Sequence, residues 1–327
     1  MSMDKKGLKI LVYTQYDPTI MERIPKRFPG VTVNVVTDDN QFLMALPESD
    51  VLYLQKEISR EISEKMAPLI AAAKRLRWIQ WGYTGLDRLR PFESVWKQLL
   101  ITNSKGMMAE TIADYVILVI HLLHREFLRM MKNQMNKVWE RWPFNSPRGK
   151  TVGIIGLGSI GKEVARRAKF FQMKVIGLVR RPISLDWVDS IFLQTELREF
   201  LGASDVVVLC VPLTSKTTGL IGEEALRWMK PGSYLVNIAR GKMVDEEALV
   251  KAIKSGHLSG AALDAFAKEP LSPESELWSL DNVIITPHLA GLTRDYPERV
   301  LDLFCENLER FLKDKEMINV LETGKGY

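Results

Sequence analysis

The sequence Thr151-Val-Gly-Ile-Ile-Gly-Leu-Gly-Ser-Ile-Gly161 combines an apolar run with three closely spaced glycines near the middle of the chain. The apolar run from Val152 to Gly156 is short and uninterrupted, as in a strand that is buried on both faces. A helical pattern of apolar residues follows from Ile160 to Phe171. The stretch therefore predicts a strand, a tight turn and a helix in direct succession.

The glycines of this turn, Gly156, Gly158 and Gly161, have the G-x-G-x-x-G spacing of dinucleotide-binding folds. The first permits a tight turn, the second leaves room for a pyrophosphate against the backbone, and the third lets helix and strand pack closely. The phosphates of such a ligand bind the open N–H groups at the helix N-terminus. Because a strand precedes the glycines and a helix follows them, the sequence predicts a nucleotide-binding site here.

Length and composition are those of a globular protein with two domains. The chain has 327 residues, of which 46% are hydrophobic and 26% are charged. Its net charge of +5 is spread along the chain in short clusters, so we expect no nucleic-acid partner. The longest apolar stretch, Tyr115 to Leu123, is too short to cross a bilayer. Cys210 and Cys305 have no metal-ligand neighbours, and we expect reduced thiols, no metal site, no membrane partner and a cytoplasmic location.

Strand and helix patterns alternate on both sides of the glycine turn, which predicts an α/β protein with two parallel sheets. Five short strands precede residue 103, and six strands, including the one before the glycines, form a doubly wound sheet after it. A long and unusually apolar helix is predicted from Ala109 to about Asn136. The final helix, from Arg299 to about Lys313, can return the chain to the first domain.

The end of the second strand in this sheet, Leu178-Val-Arg-Arg-Pro182, bears on the choice of cofactor. An NAD site has an Asp or Glu about 20 residues after the glycines, where it binds the ribose 2′-hydroxyl. Val179 occupies that place here, and Arg180 and Arg181 follow it. A missing carboxylate removes repulsion against a 2′-phosphate, which a guanidinium binds in bidentate fashion. The pattern favours NADP(H), with NAD(H) possible if both arginines merely point to solvent.

Three later strand ends carry side chains suited to hydride transfer. Arg240 follows the fourth strand, Glu269 the fifth and His288 the sixth. The carboxyl ends of neighbouring parallel strands lie at one edge of the sheet, so these residues can converge on one crevice. Arginine grips a carboxylate and polarises the carbonyl of an α-keto acid, histidine supplies a proton to its oxygen, and glutamate orients the histidine.

Together these motifs resemble the D-isomer-specific 2-hydroxyacid dehydrogenase family over nearly the whole chain. The resemblance rests on the three glycines, on Asn237-Ile-Ala-Arg240-Gly241, on Asp264 through Glu269-Pro270, and on Thr286-Pro287-His288. The intervals between Arg240, Glu269 and His288 are also those that the family shows. The resemblance implies that Arg240 binds the substrate carboxylate and carbonyl, that His288 is the acid/base, and that Glu269 is its partner.

The same resemblance implies two Rossmann-like domains and a homodimer. The substrate-binding (catalytic) domain is discontinuous, with residues 1–103 and 293–327, and residues 104–292 form the dinucleotide-binding domain. Within Trp78–Asp87 the resemblance implies that backbone N–H groups near Tyr83 and Thr84 bind the substrate carboxylate, although the usual form of this loop is altered here. Further cofactor contacts are implied at Ser159, Ile160, Val211, Pro212, Thr217, Ile238, Ala239, Asp264, His288 and Gly291.

The Val-Arg-Arg ending resembles the NADP-using glyoxylate/hydroxypyruvate reductase branch of the family. We therefore predict an NADP(H)-dependent oxidoreductase that acts on a small 2-oxo or 2-hydroxy acid. Three alternatives stay open: an NAD-dependent dehydrogenase with another substrate range, a non-catalytic dinucleotide-sensing protein of the same fold, and a nucleotide-dependent methyltransferase. Glu269 argues against formate dehydrogenase, a relative that has glutamine at this position.

Overall fold

A computed structural model of the chain describes residues 7–85 and 99–321. The chain separates into two compact units. The first unit comprises the residues up to Met107 together with those from Thr293 onwards, and the second unit is Met108–Leu292. In the described ranges, no helix has both the length and the apolar character needed to cross a membrane.

Both units are built on parallel sheets, which confirms the predicted fold class. The first unit has strand order β2-β1-β3-β4-β5, with β1 at Leu8–Thr14, β2 at Val31–Val36, β3 at Val51–Gln55, β4 at Trp78–Trp81 and β5 at Leu100–Thr102. The second unit contains β6 at Thr151–Ile155, β7 at Lys174–Val179, β8 at Ser190–Leu193, β9 at Val206–Leu209, β10 at Ser233–Asn237, β11 at Leu258–Leu263 and β12 at Val283–Ile285. Its order is β12-β11-β10-β9-β6-β7-β8, so the chain reverses its direction of travel between β6 and β9, as in doubly wound folds.

Helices connect the strands in both units. Those of the first unit are α1 (Arg23–Arg27), α2 (Asp39–Ala45), α3 (Arg60–Ala72) and the last helix of the chain, α10 (Tyr296–Leu312). Those of the second unit are α4 (Ala109–His124), α5 (Phe127–Met135), α6 (Ser159–Phe170), α7 (Leu197–Ala203), α8 (Glu223–Trp228) and α9 (Glu246–Lys254). Ser59 caps α3, because its side chain accepts a hydrogen bond from the N–H of Ile62 at 3.2 Å.

Two features of the second unit differ from the prediction. The expected single helix from Ala109 to Asn136 is the pair α4 and α5, because Glu126 adopts a left-handed backbone with φ of 52° and interrupts the helical hydrogen bonds. Neither glycine nor proline marks this break in the sequence. The predicted six-stranded sheet has a seventh strand, β8, which lies at the edge of the sheet with side chains that are half-buried or exposed.

The sheet of the second unit is buried on both faces, which explains why its inner strands are continuous apolar runs. One core packs these strands against α4 and α6, with Val116 and Val164 fully buried. The other core packs them against α7, α8 and α9 through Phe200, Leu226 and Leu249. With both faces covered by helices, the carboxyl edge of the sheet remains to present functional groups.

Candidate active site

The glycine turn follows β6 and lies beside the end of β9, at the point where the strand order reverses. Gly156 has φ of 96°, and a Cβ built on it would lie 2.5 Å from Cγ1 of Val211. A Cβ on Gly161 would lie 2.0 Å from the carbonyl oxygen of Gly156. A Cβ on Gly158 would meet no atom within 4 Å, so this position opens the turn to a ligand. The first and third glycines are therefore required for packing, and the second leaves the space that a pyrophosphate needs.

Helix α6 begins at this turn without a side-chain cap. The first helical hydrogen bond runs from the N–H of Lys162 to the carbonyl of Gly158 at 3.0 Å. The preceding N–H groups, those of Ser159, Ile160 and Gly161, have no partner among the described residues. Free N–H groups at the positive end of a helix dipole bind phosphate oxygens. The turn thus fits the pyrophosphate of a dinucleotide.

The end of β7 carries the arginine pair. Val179 is half-buried, whereas Arg180 and Arg181 are exposed. Neither guanidinium forms an ion pair within the part of the chain that the structure describes. Two uncompensated positive charges therefore stand at the strand end where an NAD site has its carboxylate.

The other residues expected to contact the cofactor follow strand ends of the same sheet. Val211 and Pro212 follow Cys210 after the end of β9, and the hydroxyl of buried Thr217 donates to the carbonyl of Pro212 at 2.8 Å, which closes this loop on itself. Ile238 and Ala239 are buried after β10. A Cβ on Gly291 would lie 2.7 Å from Sδ of Met108, so the segment after β12 packs tightly on the start of α4.

His288 and Glu269 form a direct pair. Nδ1 of His288 lies 3.0 and 3.1 Å from the two carboxylate oxygens of Glu269, one of which also accepts from the N–H of Phe266 at 3.0 Å. This hydrogen bond raises the pKa of His288, against the opposing effects of burial and the charge of Arg240. Burial disfavours the Glu269 carboxylate, but hydrogen bonds from His288 and Phe266 outweigh it and lower the pKa of Glu269. The pair therefore favours a charged imidazole beside a charged carboxylate.

Arg240 follows β10, the strand next to the one that leads to Glu269. Its backbone carbonyl accepts from Nδ2 of Asn237 at 3.1 Å, and its Nη1 donates to the carbonyl of Ala239 at 2.8 Å. A Cβ on Gly241 would lie 1.8 Å from the carbonyl carbon of Phe266, so the loops after β10 and β11 touch through their backbones. The predicted triad thus comes from three adjacent strand ends of the second unit.

Asp264 has a structural role that the sequence did not reveal. Only 3% of this residue is exposed, and its carboxylate accepts hydrogen bonds from Thr286 Oγ1 (2.6 Å), the N–H of Leu289 (2.9 Å) and the N–H of Ala290 (3.0 Å). These donors flank His288, whose φ of 53° is left-handed. An aspartate that ends an otherwise apolar strand was the only available signal of this role.

In the first unit, the loop after β4 directs its carbonyl groups into the unit. All five carbonyl oxygens from Trp81 to Gly85 accept hydrogen bonds. Their donors, in order, are Ser104 Oγ (3.1 Å), Tyr296 Oη (2.5 Å), the N–H of Ser104 (3.2 Å), Asn103 Nδ2 (3.1 Å) and Trp81 Nε1 (2.7 Å). The N–H groups of Tyr83 and Thr84 have no partner among the described residues. Leu86 and Asp87, the end of the predicted loop segment, lie outside the described residues.

Comparison with known proteins shows which family the chain belongs to. Residues 117–290 match the sequence profile of the D-isomer specific 2-hydroxyacid dehydrogenase family, NAD binding domain, which is more than half of the chain. The chain belongs to this family. The glyoxylate reductase of Pyrococcus furiosus is 35% identical over 291 residues, which cover 84% of each protein. That of Thermococcus gammatolerans is 38% identical over 271 residues, or 77% of this chain and 80% of the relative.

Solved structures of the family show the same architecture. A D-isomer specific 2-hydroxyacid dehydrogenase from Xanthobacter autotrophicus, in complex with NADPH and MES, is 26% identical with a TM-score of 0.80. The match covers 98% of this chain and 100% of that one. The chain is therefore a 2-hydroxyacid dehydrogenase, an oxidoreductase with a nicotinamide dinucleotide cofactor, and the predicted family is confirmed. In the described residues, no group of three or more His, Cys, Asp and Glu side chains is arranged to hold a metal ion.

Proposed function

We propose that this dehydrogenase uses NADP(H) and reduces a small 2-oxo acid of the glyoxylate or hydroxypyruvate type. The observation that carries the proposal is the His288–Glu269 pair, at the strand ends next to Arg240 on a sheet whose glycine turn fits a dinucleotide. Relatives that are 35% and 38% identical are glyoxylate reductases, which supports the same substrate class here.

His288 acts as the acid/base. Its Nδ1 is engaged by Glu269, which leaves Nε2 to hold the proton that moves to or from the substrate oxygen. The nicotinamide supplies or accepts the hydride when the cofactor is bound. Glu269 orients the ring and stabilises its charged form, so that a proton is available during reduction.

Arg240 binds the substrate carboxylate and polarises the neighbouring carbonyl. A guanidinium presents several N–H donors in a fixed plane, which matches the two oxygen atoms of a carboxylate. Its backbone carbonyl accepts from Asn237 and its Nη1 donates to the carbonyl of Ala239, and these hydrogen bonds restrain the side chain before the substrate binds.

Residues 1–103 and 293–327 form the substrate-binding domain in this proposal, and residues 104–292 form the dinucleotide-binding domain. The inward carbonyl groups of Trp81–Gly85 support this assignment, because a peptide group with a buried carbonyl turns its N–H the other way. The N–H groups of Tyr83 and Thr84 then serve as donors to the substrate carboxylate, in the manner of a backbone anion site.

The preference for NADP(H) rests on the second unit. Arg180 and Arg181 bind the 2′-phosphate, and Val179 offers no carboxylate to repel it. The family member from Xanthobacter autotrophicus, which has NADPH bound, supports this choice. The remaining cofactor contacts are those implied by the family resemblance, at Val211, Pro212, Thr217, Ile238, Ala239, Asp264, His288 and Gly291.

A homodimer is supported by a run of exposed apolar side chains on α5 and the segment that follows. Met135 is 79% exposed, Val138 50%, Trp139 95% and Phe144 43%. Contiguous apolar exposure of this kind marks a protein interaction site. A second copy of the chain is the partner that the family resemblance implies. Free thiols at Cys210 and Cys305 accord with a reducing, cytoplasmic location.

The proposal is tested by NADPH oxidation in the presence of glyoxylate, hydroxypyruvate, pyruvate and longer 2-oxo acids, each repeated with NADH. We expect turnover with one of the first two acids and a higher kcat/KM with NADPH than with NADH. His288→Ala serves as the inactive control, and binding of NADPH is followed by its fluorescence. Binding of NADPH without turnover of any 2-oxo acid would contradict the proposal and favour the dinucleotide-sensing alternative.

A further inference from the structure

Three side chains of the second unit form a hydrogen-bonded chain behind His288. Oη of Tyr115, on α4, lies 2.7 Å from Oγ1 of Thr286. Thr286 in turn donates to Oδ1 of Asp264 at 2.6 Å. Asp264 is buried at the end of β11, whereas Tyr115 and Thr286 are half-buried. The chain therefore links a helix to the two strand ends that carry Glu269 and His288.

The direction of these hydrogen bonds follows from counting protons. The hydroxyl of Thr286 has one proton, and the carboxylate of Asp264 has only acceptor sites, so this proton goes to Asp264. Thr286 can then only accept from Tyr115, whose hydroxyl must donate. Burial raises the pKa of Tyr115 to about 12, so its proton is in place at neutral pH. Donation from Tyr115 strengthens donation from Thr286 because linked hydroxyl groups polarise one another.

The carboxylate at the end of this chain shapes the backbone around His288. Besides Thr286, it accepts from the N–H groups of Leu289 and Ala290, so its donors come from both sides of His288. The N–H of His288 itself donates to the carbonyl of Thr286 at 3.0 Å. This closes a tight turn in which His288 has φ of 53°, a left-handed conformation that residues other than glycine seldom adopt. Such a conformation persists only where surrounding contacts impose it.

We propose that Tyr115 and Thr286 are positioning residues: their hydroxyl groups hold Asp264 in place, and Asp264 holds His288 in the backbone conformation that sets its ring against Glu269. The proposal rests on the proposed function in that His288 is the acid/base. Among the described residues, the charged groups that face His288 are Glu269, Arg240 and Asp264, and Glu269 forms the hydrogen bonds to its ring. Loss of either hydroxyl therefore acts on the His288–Glu269 contact through the backbone.

Three variants test this role. Thr286→Val removes the hydroxyl at nearly constant size, Thr286→Ser retains it, and Tyr115→Phe removes the other one. For NADPH-dependent reduction we expect kcat to fall about tenfold in Thr286→Val, since a small misplacement of a catalytic group is costly. Tyr115→Phe removes a single neutral hydrogen bond, so we expect a smaller fall of about threefold to fivefold. Thr286→Ser is expected to retain most of the wild-type kcat.

A pH profile separates positioning from a general loss of structure. Reduction needs the charged imidazole, so kcat/KM falls as pH rises through the pKa of His288. If the contact between His288 and Glu269 loosens in Thr286→Val, the pKa of His288 falls. The alkaline limb of the kcat/KM profile of this variant then moves to lower pH. Thr286→Ser is expected to keep the wild-type limb. A variant that only lowered the amount of folded enzyme would lower kcat without moving the limb.

The positioning role is overturned if Thr286→Val keeps the wild-type kcat and the wild-type limb, or if Thr286→Ser is as impaired as Thr286→Val. His288→Ala, measured in parallel, distinguishes this failure from failure of the proposed function. If His288→Ala is inactive and Thr286→Val is unaffected, only the positioning role is refuted. If His288→Ala is active, both the acid/base assignment and the positioning role that depends on it are refuted.

Discussion

Replacement of Glu269 by glutamine tests the charge of the His288–Glu269 pair at nearly constant shape. Glutamine can still accept a hydrogen bond from Nδ1 through its single amide oxygen, but it carries no negative charge. The contact at 3.0 to 3.1 Å then has a neutral acceptor in place of a carboxylate. Because this contact is the largest cause of the raised pKa of His288, we expect that pKa to fall in Glu269→Gln.

The size of the effect follows from the exposure of the pair. Hydrogen bonds to charged groups contribute about 1.5–3 kcal/mol when buried. The side chains of His288 and Glu269 are 45% and 40% exposed, so solvent screens part of this interaction. We therefore expect loss of the Glu269 charge to cost about 1–1.5 kcal/mol, which corresponds to about a fivefold to tenfold loss of kcat/KM for reduction near neutral pH.

The direction of the pH dependence gives a sharper test than the rate alone. Reduction consumes the charged imidazole and oxidation consumes the neutral one. In Glu269→Gln the alkaline limb for reduction and the acid limb for oxidation should therefore both move to lower pH. The assay is kcat/KM against pH in both directions, with NADPH and a 2-oxo acid or NADP and the matching 2-hydroxy acid.

Glu274→Gln is the matched control. It removes a carboxylate from the same loop, and that carboxylate accepts a hydrogen bond from Ser272 and does not contact His288. We expect it to leave both limbs and both rates unchanged. Limbs in Glu269→Gln that coincide with those of the wild type would refute the reasoning, since the carboxylate would then have no influence on the proton at His288.

Four further predictions concern substrate binding, cofactor binding and the proposed homodimer. Arg240→Ala should lower kcat/KM at least about a hundredfold through loss of the carboxylate and carbonyl contacts, with NADPH affinity nearly intact; loss of NADPH binding would count against its role. Arg180→Ala should weaken NADPH about tenfold or more, by loss of a charge-assisted contact, and NADH much less; equal loss would mean that the 2′-phosphate is bound elsewhere. Tyr296→Phe, which removes the donor to the carbonyl of Gly82, should raise KM for the 2-oxo acid about fivefold with little change in kcat; an unchanged KM would separate this hydrogen bond from substrate binding. Trp139→Ser should shift the chain toward a monomer in light scattering after size exclusion, because it removes an apolar side chain that is 95% exposed; a monomeric wild type would refute the homodimer.

Strand positions in both units were largely predictable from sequence. The sequence predicts five strands before residue 103, and the structure has β1 to β5 there. Strands that are covered on both sides consist of uninterrupted apolar runs, and polar turns mark their ends. The break between α4 and α5 was missed because Glu126 is neither glycine nor proline and nothing local signals its left-handed backbone. Strand β8 was missed although it contains the apolar residues Ile191 to Leu193, which are half-buried or exposed at the edge of the sheet.

The residue types of the site were also available from sequence. The spacing of Gly156, Gly158 and Gly161 reflects a local steric requirement, because each glycine acts on a turn of a few residues. Arg240, Glu269 and His288 were identified because strand ends in a parallel sheet lie along one edge, so their convergence follows from topology alone. Their catalytic roles stay predictions until the variants are measured.

The two parallel sheets, the nucleotide turn and the family follow from residue patterns that the sequence carries. Tertiary structure alone decided which polar groups hold the site in place. Tyr115 and Thr286 are 171 positions apart, and Tyr296 and Gly82 are 214 apart. No periodicity or short motif links residues at such distances. Apolar patterns act within one element and survive in the sequence, whereas a hydrogen bond between distant side chains exists only after the elements have packed.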